Sequence, residues 1–381
     1  MYIPRTLETI IKKRLFDSNK IIIVYGPRQA GKTTLIKKLL QDLPFRVLYI
    51  NADEKKYIDY LSSRDRAKLA LLVEGYDLLF LDEAQRVPDI GINLKILHDA
   101  FPGLKVIATG SSSLELADKT REALTGRTWS FRLYPIAFDE LRSIENTAEL
   151  ISRREEFLLY GMYPEVFSWK NHQDKISYLR ELTTSYLFKD IFTLTSIKHA
   201  NKLDDLLRLL AFQVGSLVSF SELGSQLGLS KETVASYIEL LEKTFVIFRL
   251  RGFSCNLRKE IVKNSKYYFF DLGIRNALIE NFKPLRFRND LGQLWENFII
   301  SERIKYLNNH RHFKRAYFWR TYSGTEIDYV EESNGDLMGV EIKWSARDVK
   351  SPRSWKKAYP AAEFKLINTE NFHDFISSPL F

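Results

Sequence analysis

Short apolar runs alternate with helical stretches over the first 145 residues. The runs are four to five residues long and rich in Ile, Val and Leu: Ile21–Tyr25, Val47–Ile50, Leu78–Leu81 and Val106–Thr109. Runs of this length with helices between them are typical of a parallel sheet that is buried on both faces. The pattern predicts an α/β domain over residues 1–150.

The rest of the chain changes its pattern twice. Residues 151–203 have helical apolar spacing and predict a helical lid; the spacing is clearest at Phe157–Tyr160, Tyr186–Ile191 and, just beyond, Leu203–Leu210. Residues 204–280 contain a helix–turn–helix pattern, and residues 281–381 return to a long helix followed by strands. We therefore expect an α/β multi-domain protein in four segments.

The helix–turn–helix pattern has clear start and stop signals. Ser219 opens an S-x-x-E capping box, Gly228 ends the first helix, and Ser230 caps the second. Phe245–Leu250 then predicts a strand, which gives a winged helix. The outward positions of the second helix include Lys231, Glu232, Ser236 and Glu239. Glutamates that face phosphates are unfavourable, so we expect packing against the nucleotide domain rather than DNA reading.

Composition excludes several classes of protein. The chain has 381 residues, 45% hydrophobic and 28% charged, which argues against intrinsic disorder and a disulfide scaffold. The single cysteine, Cys255, cannot form an internal disulfide, so we expect a reducing, cytoplasmic compartment. The chain has no apolar run of membrane-spanning length and no signal-peptide core at its N-terminus, and we expect no membrane partner.

The net charge of +9 invites a nucleic-acid hypothesis. Lys plus Arg exceed Asp plus Glu by 23 to 20 in residues 1–150, by 18 to 15 in residues 151–280 and by 16 to 13 in residues 281–381. Each third therefore carries +3, whereas a DNA footprint is a concentrated patch. The charge supports nucleic-acid binding only weakly.

Residues 26–33 fit the phosphate-loop pattern G-x-x-x-x-G-K-[ST], between a strand and a helix. Gly26 and Gly31 let backbone N–H groups face phosphate oxygens. Lys32 is placed to reach the β- and γ-phosphates, and the Thr33 hydroxyl to hold Mg²⁺. The predicted ATP-binding residues of this loop are Gly26, Pro27, Arg28, Gln29, Ala30, Gly31, Lys32, Thr33 and Thr34.

A second element supports nucleotide hydrolysis. The apolar strand within Asp77–Gln85 ends in two carboxylates. Asp82 is expected to hold Mg²⁺ at the nucleotide, and Glu83 to orient and polarise the attacking water. A neighbouring strand ends in hydroxyls, where Ser111 or Thr109 is placed to sense the γ-phosphate. An ordinary serine-rich turn is the alternative there.

These motifs together resemble a family. The phosphate loop, LFLDEAQ, the strand ending TGSSS, and Gly126-Arg127 followed by LYPIAFDEL resemble the bacterial and archaeal AAA-type ATPases that carry a C-terminal restriction-endonuclease-like domain of unassigned function. Residues 161–167, 186–191 and 266–278 also resemble that family. The resemblance implies that Arg127 stabilises γ-phosphate charge, in cis or from a neighbouring subunit of a homo-oligomer. A surface cation is the alternative.

The C-terminal segment contains a hairpin signal. Asn334-Gly335 predicts a two-residue type I′ turn. The numbers of facing residues then sum to 669, so Asp328 faces Glu341 and Glu326 faces Lys343 on one face of the sheet. The other face is expected to carry the apolar residues Ile327, Tyr329, Val340 and Ile342.

Two facing carboxylates repel one another unless they bind a cation. Asp328 with Glu341 and Lys343 resembles the PD-(D/E)xK nuclease pattern, which implies Mg²⁺ or Mn²⁺ on the carboxylates and a lysine that positions water or stabilises the anion. The same resemblance implies Glu296 as a further metal ligand. The alternative is a plain Glu326–Lys343 ion pair, with the other two carboxylates in solvent.

The sequence therefore predicts an ATP-hydrolysing AAA-type ATPase coupled to a metal-dependent nuclease-like domain that acts on DNA or RNA. The alternative is a nucleotide-dependent switch with a non-catalytic C-terminal interaction domain. Six basic and aromatic side chains either grip nucleic acid or pack: Trp319, Arg320, Lys343, Trp344, Arg347 and Trp355.

Overall fold

The computed structural model describes residues 2–110, 123–187, 200–254, 265–345 and 348–379. These residues divide into two compact units, one running to Pro135 and the other beginning at Ile136. Within the described ranges, no helix combines the length and the apolar character that crossing a bilayer requires.

The first unit is built on a five-stranded sheet in the order β2-β3-β4-β1-β5. Its strands are β1 (Ile21–Tyr25), β2 (Val47–Asn51), β3 (Leu78–Asp82), β4 (Lys105–Gly110) and β5 (Thr128–Arg132). Its helices are α1 (Thr6–Asp17), α2 (Lys32–Gln41), α3 (Lys55–Leu61), α4 (Arg66–Val73) and α5 (Ile90–Ala100), with a 3₁₀ turn at Ala84–Arg86. All strand pairs are parallel, which confirms the predicted sheet; β5 was not predicted.

The apolar runs are continuous because both sheet faces are covered. Ile22 and Val24 of β1 pack with residues of α1 and α2. Ile21 and Ile23 pack on the opposite face, with residues of α4 and α5. Alternate residues of one strand therefore enter two different cores.

The second unit is built on a seven-stranded mixed sheet in the order β12-β11-β10-β9-β7-β8-β6. Its strands are β6 (Leu217–Val218), β7 (Ile247–Gly252), β8 (Ser265–Phe269), β9 (Arg315–Arg320), β10 (Glu326–Ser333), β11 (Asp336–Ile342) and β12 (Glu363–Ile367). Its helices are α6 (Phe138–Leu141), α7 (Thr147–Ser152), α8 (Arg154–Tyr160), α9 (His172–Glu181), α10 (Ala200–Phe212), α11 (Phe220–Leu227), α12 (Lys231–Lys243), α13 (Leu272–Leu278), α14 (Leu291–Asn309), α15 (Arg353–Ala358) and α16 (Phe372–Phe375). A π-helical turn spans Leu182–Leu187, and 3₁₀ turns span Pro164–Ser168 and Leu285–Phe287.

The predicted helix–turn–helix elements are present. The Ser230 hydroxyl accepts a hydrogen bond from the Thr233 amide at 3.1 Å and so caps α12. Gly228 follows α11 with φ +67°, in the left-handed region where glycine is favoured. All four predicted outward positions of α12 are exposed.

The sheet runs through the predicted boundary at residue 280. Strand β7 pairs antiparallel with β8 on one side and parallel with β9 on the other, with Arg251 beside Tyr317 and Gly252 beside Phe318. The strands that follow the helix–turn–helix and those of the C-terminal segment therefore form one sheet.

The predicted hairpin register is confirmed where β10 and β11 pair. Tyr329 lies opposite Val340 and Ser333 opposite Asp336, and both sums are 669. The turn residues Asn334 and Gly335 have φ values of +54° and +96°, as a type I′ turn requires.

The predicted division of the two strand faces is wrong in part. A β-bulge in β10, between Ile327 and Val330, interrupts its pairing with β9. Ile327 and Val330 consequently pack in one cluster with Trp319 and Trp355, while Tyr329 contacts Phe375. Ile327 and Tyr329 do not share a face.

For two of the six side chains with the alternatives of gripping nucleic acid or packing, the same cluster favours packing. Trp319 and Trp355 are buried, with ring centroids 5.2 Å apart, so they pack in the core. Trp344 lies edge-on to Trp295, and Arg320 pairs with Glu326. Arg347 lies outside the described residues.

Candidate functional site: a phosphate loop and a separate carboxylate cluster

The phosphate loop joins β1 to α2. Its lysine, Lys32, is buried and donates hydrogen bonds to the carbonyls of Gly26 and Pro27, both at 2.9 Å. Gly31 has φ +93° and directly precedes α2, so the amino end of that helix faces the loop. The loop thus combines an ammonium group with a helix N-terminus, the arrangement that binds phosphate.

The start of the loop is held by the chain segment that follows β5. A Cβ atom on Gly26 would lie 1.9 Å from the carbonyl oxygen of Leu133, which no real contact allows. The Leu133 amide donates to the Tyr25 carbonyl at 2.8 Å and keeps that segment in place. Glycine at position 26 is therefore a steric requirement of the fold.

Three hydroxyl groups meet on one buried carboxylate, that of Asp82. The Thr33 hydroxyl donates to its two oxygens at 2.8 and 3.0 Å, and the Thr109 hydroxyl also donates to it. The Tyr49 hydroxyl lies 3.4 Å away, and burial together with the charge of Asp82 raises the pKa of Tyr49. Hydroxyl and carboxylate oxygens are the ligands that Mg²⁺ prefers, so this set fits the metal of an ATP·Mg²⁺ complex.

Glu83 directly follows Asp82 in the chain. It has φ +55°, in the left-handed region, so the chain turns sharply at the end of β3. The side-chain amide of Gln85 donates to the Glu83 carboxylate at 2.5 Å. Gln85 was not predicted as a site residue, because only the turn after β3 brings it back to Glu83.

Arg127 lies at the end of the sheet where β1 and β5 begin, whereas the phosphate loop follows the end of β1. The arginine precedes β5, and its carbonyl accepts a hydrogen bond from the amide of Ile21, at the start of β1. The five residues of β1 separate it from the phosphate loop by about 16 Å. Arg127 therefore lies at the far end of β1 from the phosphate loop of its own chain, and its role, in cis or from a neighbouring subunit, stays a prediction. Ser111 lies outside the described residues.

Arg127 is engaged instead in a two-point ion pair. Its guanidinium donates to both oxygens of Asp99, at 2.8 and 3.1 Å. Hydrogen bonds from Arg127 and His98 lower the pKa of Asp99 to about 2.

In the second unit, Lys343 bridges two carboxylates. Its Nζ lies 2.7 Å from Glu341 Oε1 and 3.3 Å from Asp328 Oδ2, and the Ile342 amide donates to Asp328 at 2.8 Å. The Asp328 and Glu341 side chains are only 11% and 15% exposed, against 44% for Lys343. The alternative with both carboxylates in solvent is therefore wrong. The Glu326–Lys343 ion pair is also absent, because Glu326 pairs with Lys266 and Arg320.

Glu296 is turned to other partners. Its carboxylate accepts a hydrogen bond from the Tyr268 hydroxyl at 2.5 Å and lies 3.4 Å from the Lys266 ammonium. Burial raises the pKa of Glu296 to about 7; Lys266 opposes this rise and Asp328 adds to it. Lys266 and Tyr268 lie two positions apart on β8 and were not predicted, since no local signal brings them to Glu296, 30 and 28 residues further along the chain.

The predicted three-carboxylate metal centre is therefore wrong as a group. No set of three His, Cys, Asp or Glu residues in the described part of the chain is placed to hold a metal ion. Two of the three predicted ligands, Asp328 and Glu341, do lie together. Burial and the charge of Asp328 raise the pKa of Glu341.

Three family models match successive segments of the chain. Residues 18–142 match the AAA domain family, residues 151–285 match a domain of unknown function (DUF8612), and residues 291–376 match another (DUF4143). The Walker-type ATPase of Pyrococcus abyssi has a similar fold, with a TM-score of 0.50 and 16% identity over 73% of this chain and 96% of that chain. The phosphate-loop part of the chain matches the AAA domain family and has a P-loop ATPase fold, as the resemblance implied; for the C-terminal segment the match names no activity.

Two uncharacterized proteins are related over most of the chain. One from Mycobacterium tuberculosis is 27% identical over 335 residues, 87% of this chain and 72% of the relative. One from Methanocaldococcus jannaschii is 25% identical over 303 residues, 74% of this chain and 66% of the relative.

Gly26→Ala tests the steric requirement at the phosphate loop. The added methyl group must displace the Leu133 carbonyl, so we expect the free energy of unfolding to fall by about 1–3 kcal/mol and ATP affinity to be lost. Gly103→Ala is the matched control, since a Cβ there meets nothing within 4 Å. Urea unfolding and ATP titration measure the two effects. Equal behaviour of the two variants would contradict the packing described.

The raised pKa of Glu296 predicts a pH-dependent stability. Between its ordinary pKa of 4.5 and about 7, the folded chain holds the proton more tightly than the unfolded chain. The free energy of unfolding should therefore fall as pH rises through this window, by more in the wild type than in Glu296→Gln. Urea unfolding at pH 5 and pH 7.5 gives the comparison. Parallel pH profiles for the two proteins would show that Glu296 titrates normally.

Proposed function

We propose that the protein binds and hydrolyses ATP at the phosphate loop. The observation that carries the proposal is the meeting of the Thr33 and Thr109 hydroxyls on Asp82, one residue before Glu83. Lys32 binds the β- and γ-phosphates, and Glu83 holds the attacking water and accepts its proton. Thr33 and Asp82 would hold the Mg²⁺ of an ATP·Mg²⁺ complex, which would neutralise charge on the phosphates.

Arg127 enters this proposal only from a neighbouring subunit. The length of β1 between Arg127 and the loop of its own chain argues against contact with the same nucleotide, and its partly exposed guanidinium is open to a neighbouring subunit. An ATP turnover per chain that rises with protein concentration and is lost in Arg127→Ala supports a homo-oligomeric site.

Glu83→Gln separates binding from hydrolysis. We expect this variant to retain ATP affinity and to lose hydrolysis by about 10²-fold or more, because it keeps the shape of the side chain but cannot accept a proton. Lys32→Ala should instead lose affinity. Phosphate release and ATP titration distinguish the two, with Glu74→Gln, an exposed glutamate of the same unit, as the control. A wild-type rate in Glu83→Gln would refute the assigned role.

A second candidate activity is metal-dependent phosphodiester hydrolysis, on DNA or RNA, at Asp328, Glu341 and Lys343. The supporting observation is that two poorly exposed carboxylates share one cation. A divalent ion on the same oxygens would lower the pKa of a bound water and neutralise developing charge. Lys343 is exposed enough to swing out and stabilise the anion. In this proposal the nuclease-like segment, preceded by a winged helix, is coupled to the ATPase.

The competing proposal is a nucleotide-dependent switch with a non-catalytic C-terminal domain. The orientation of Glu296 toward Tyr268 and Lys266 favours it, because the third predicted metal ligand is occupied with other partners.

A cleavage assay decides between these proposals. Single- and double-stranded DNA and RNA are incubated with Mg²⁺ or Mn²⁺, with and without ATP. The nuclease proposal expects cleavage that falls about 10²-fold or more in Glu341→Ala and is unchanged in Glu363→Ala, an exposed glutamate that lies two strands from β10. An effect of Lys32→Ala would show that ATP controls cleavage. Phosphate release from ATP without cleavage of any of the four substrates would favour the switch.

A further inference from the structure

One buried arginine connects the phosphate loop to a distant part of the first unit. Arg5 immediately precedes α1 and is 5% exposed. Its Nη1 donates to the carbonyl of Ala30, in the loop, at 2.9 Å. Its Nη2 donates to the carbonyl of Tyr134, after β5, at 2.6 Å. A single guanidinium thus joins three segments of the chain.

The contact on Ala30 has a direct consequence for the next amide. A trans peptide is planar, and its C=O and N–H groups point in opposite directions. Because Arg5 holds the Ala30 carbonyl, the N–H group of Gly31 is turned away from Arg5. Gly31 has no side chain and a φ of +93°, so its own conformational preference does not fix this peptide plane.

The loop is consequently held at both ends against one segment. At its start, Gly26 packs on the Leu133 carbonyl; near its end, Ala30 is joined through Arg5 to Tyr134. Arginine suits this task because its planar fork can donate to two carbonyls at once, which a lysine ammonium does with far less directional constraint.

We infer that Arg5 is a positioning residue for nucleotide binding, which orients the phosphate-loop backbone without contacting the nucleotide. The inference rests on the proposed ATP hydrolysis at this loop. Backbone N–H groups of the loop bind phosphate in the ground state and the transition state alike, so their misorientation weakens uniform binding. The consequence is a higher KM for ATP with little change in kcat.

The test compares Arg5→Met, Arg5→Lys and Arg14→Met. Arg14 lies in α1, the helix that Arg5 precedes, and its guanidinium lies over the ring of Trp129. Its replacement removes one charge and one packing contact at a place distant from the loop. We expect Arg5→Met to raise KM for ATP by about tenfold while kcat changes by less than about threefold. Arg5→Lys should recover part of the affinity, and Arg14→Met should match the wild type.

Thermal unfolding without nucleotide shows whether each variant folds, and Arg5→Lys provides the measurement if Arg5→Met does not. Equal KM values in folded Arg5 variants and wild type overturn the inference and leave ATP hydrolysis intact. A fall in kcat with an unchanged KM in the folded Arg5 variants also overturns it. A wild type that binds ATP without hydrolysing it refutes the proposed function; ATP dissociation constants then replace KM, and an unchanged constant in Arg5→Lys and Arg5→Met overturns the inference. A wild type that does not bind ATP refutes both.

Discussion

The nucleotide end of the first unit depends on one buried carboxylate with several hydroxyl partners. Asp82 ends β3, and parallel strands present their carboxyl ends at one edge of a sheet, so β2 and β4 bring Tyr49 and Thr109 to the same place. Thr33 arrives from the helix that the phosphate loop begins. The fold therefore brings the hydroxyl and carboxylate oxygens of this set together from separate elements.

In the second unit, several carboxylates lie close together and few of them are fully exposed to solvent. Lysine ammonium groups of the same chain contact these carboxylates: Lys343 contacts Asp328 and Glu341, and Lys266 contacts Glu296 and Glu326. Partly buried carboxylates in such numbers are costly unless they are paired. A divalent ion would have to displace a resident ammonium group, so the balance between the two cations decides whether this cluster is an enzyme site or a structural one.

Local signals account for what could be predicted. The phosphate loop, the strand that ends at Asp82 and the Asn334-Gly335 turn each lie within a few consecutive residues, and each formed as expected. Contacts between distant parts of the chain were missed: Lys266 on β8 and Glu296 on α14 are 30 residues apart. Arg5 was missed for the same physical reason, since its partners are 25 and 129 residues away. The bulge in β10 has no strong local signal either, and it redirected Ile327.

The parallel pairing of β7 with β9 also bears on how such chains diversify. The segment matching residues 151–285 contributes β6, β7 and β8, while the segment matching residues 291–376 contributes β9 to β12. Separating the two segments by recombination would leave β7 and β9 each with an unpaired edge, which could pair with another chain and cause aggregation. Exchange of the last segment alone would expose both of these edges, so we expect the two segments to be inherited together.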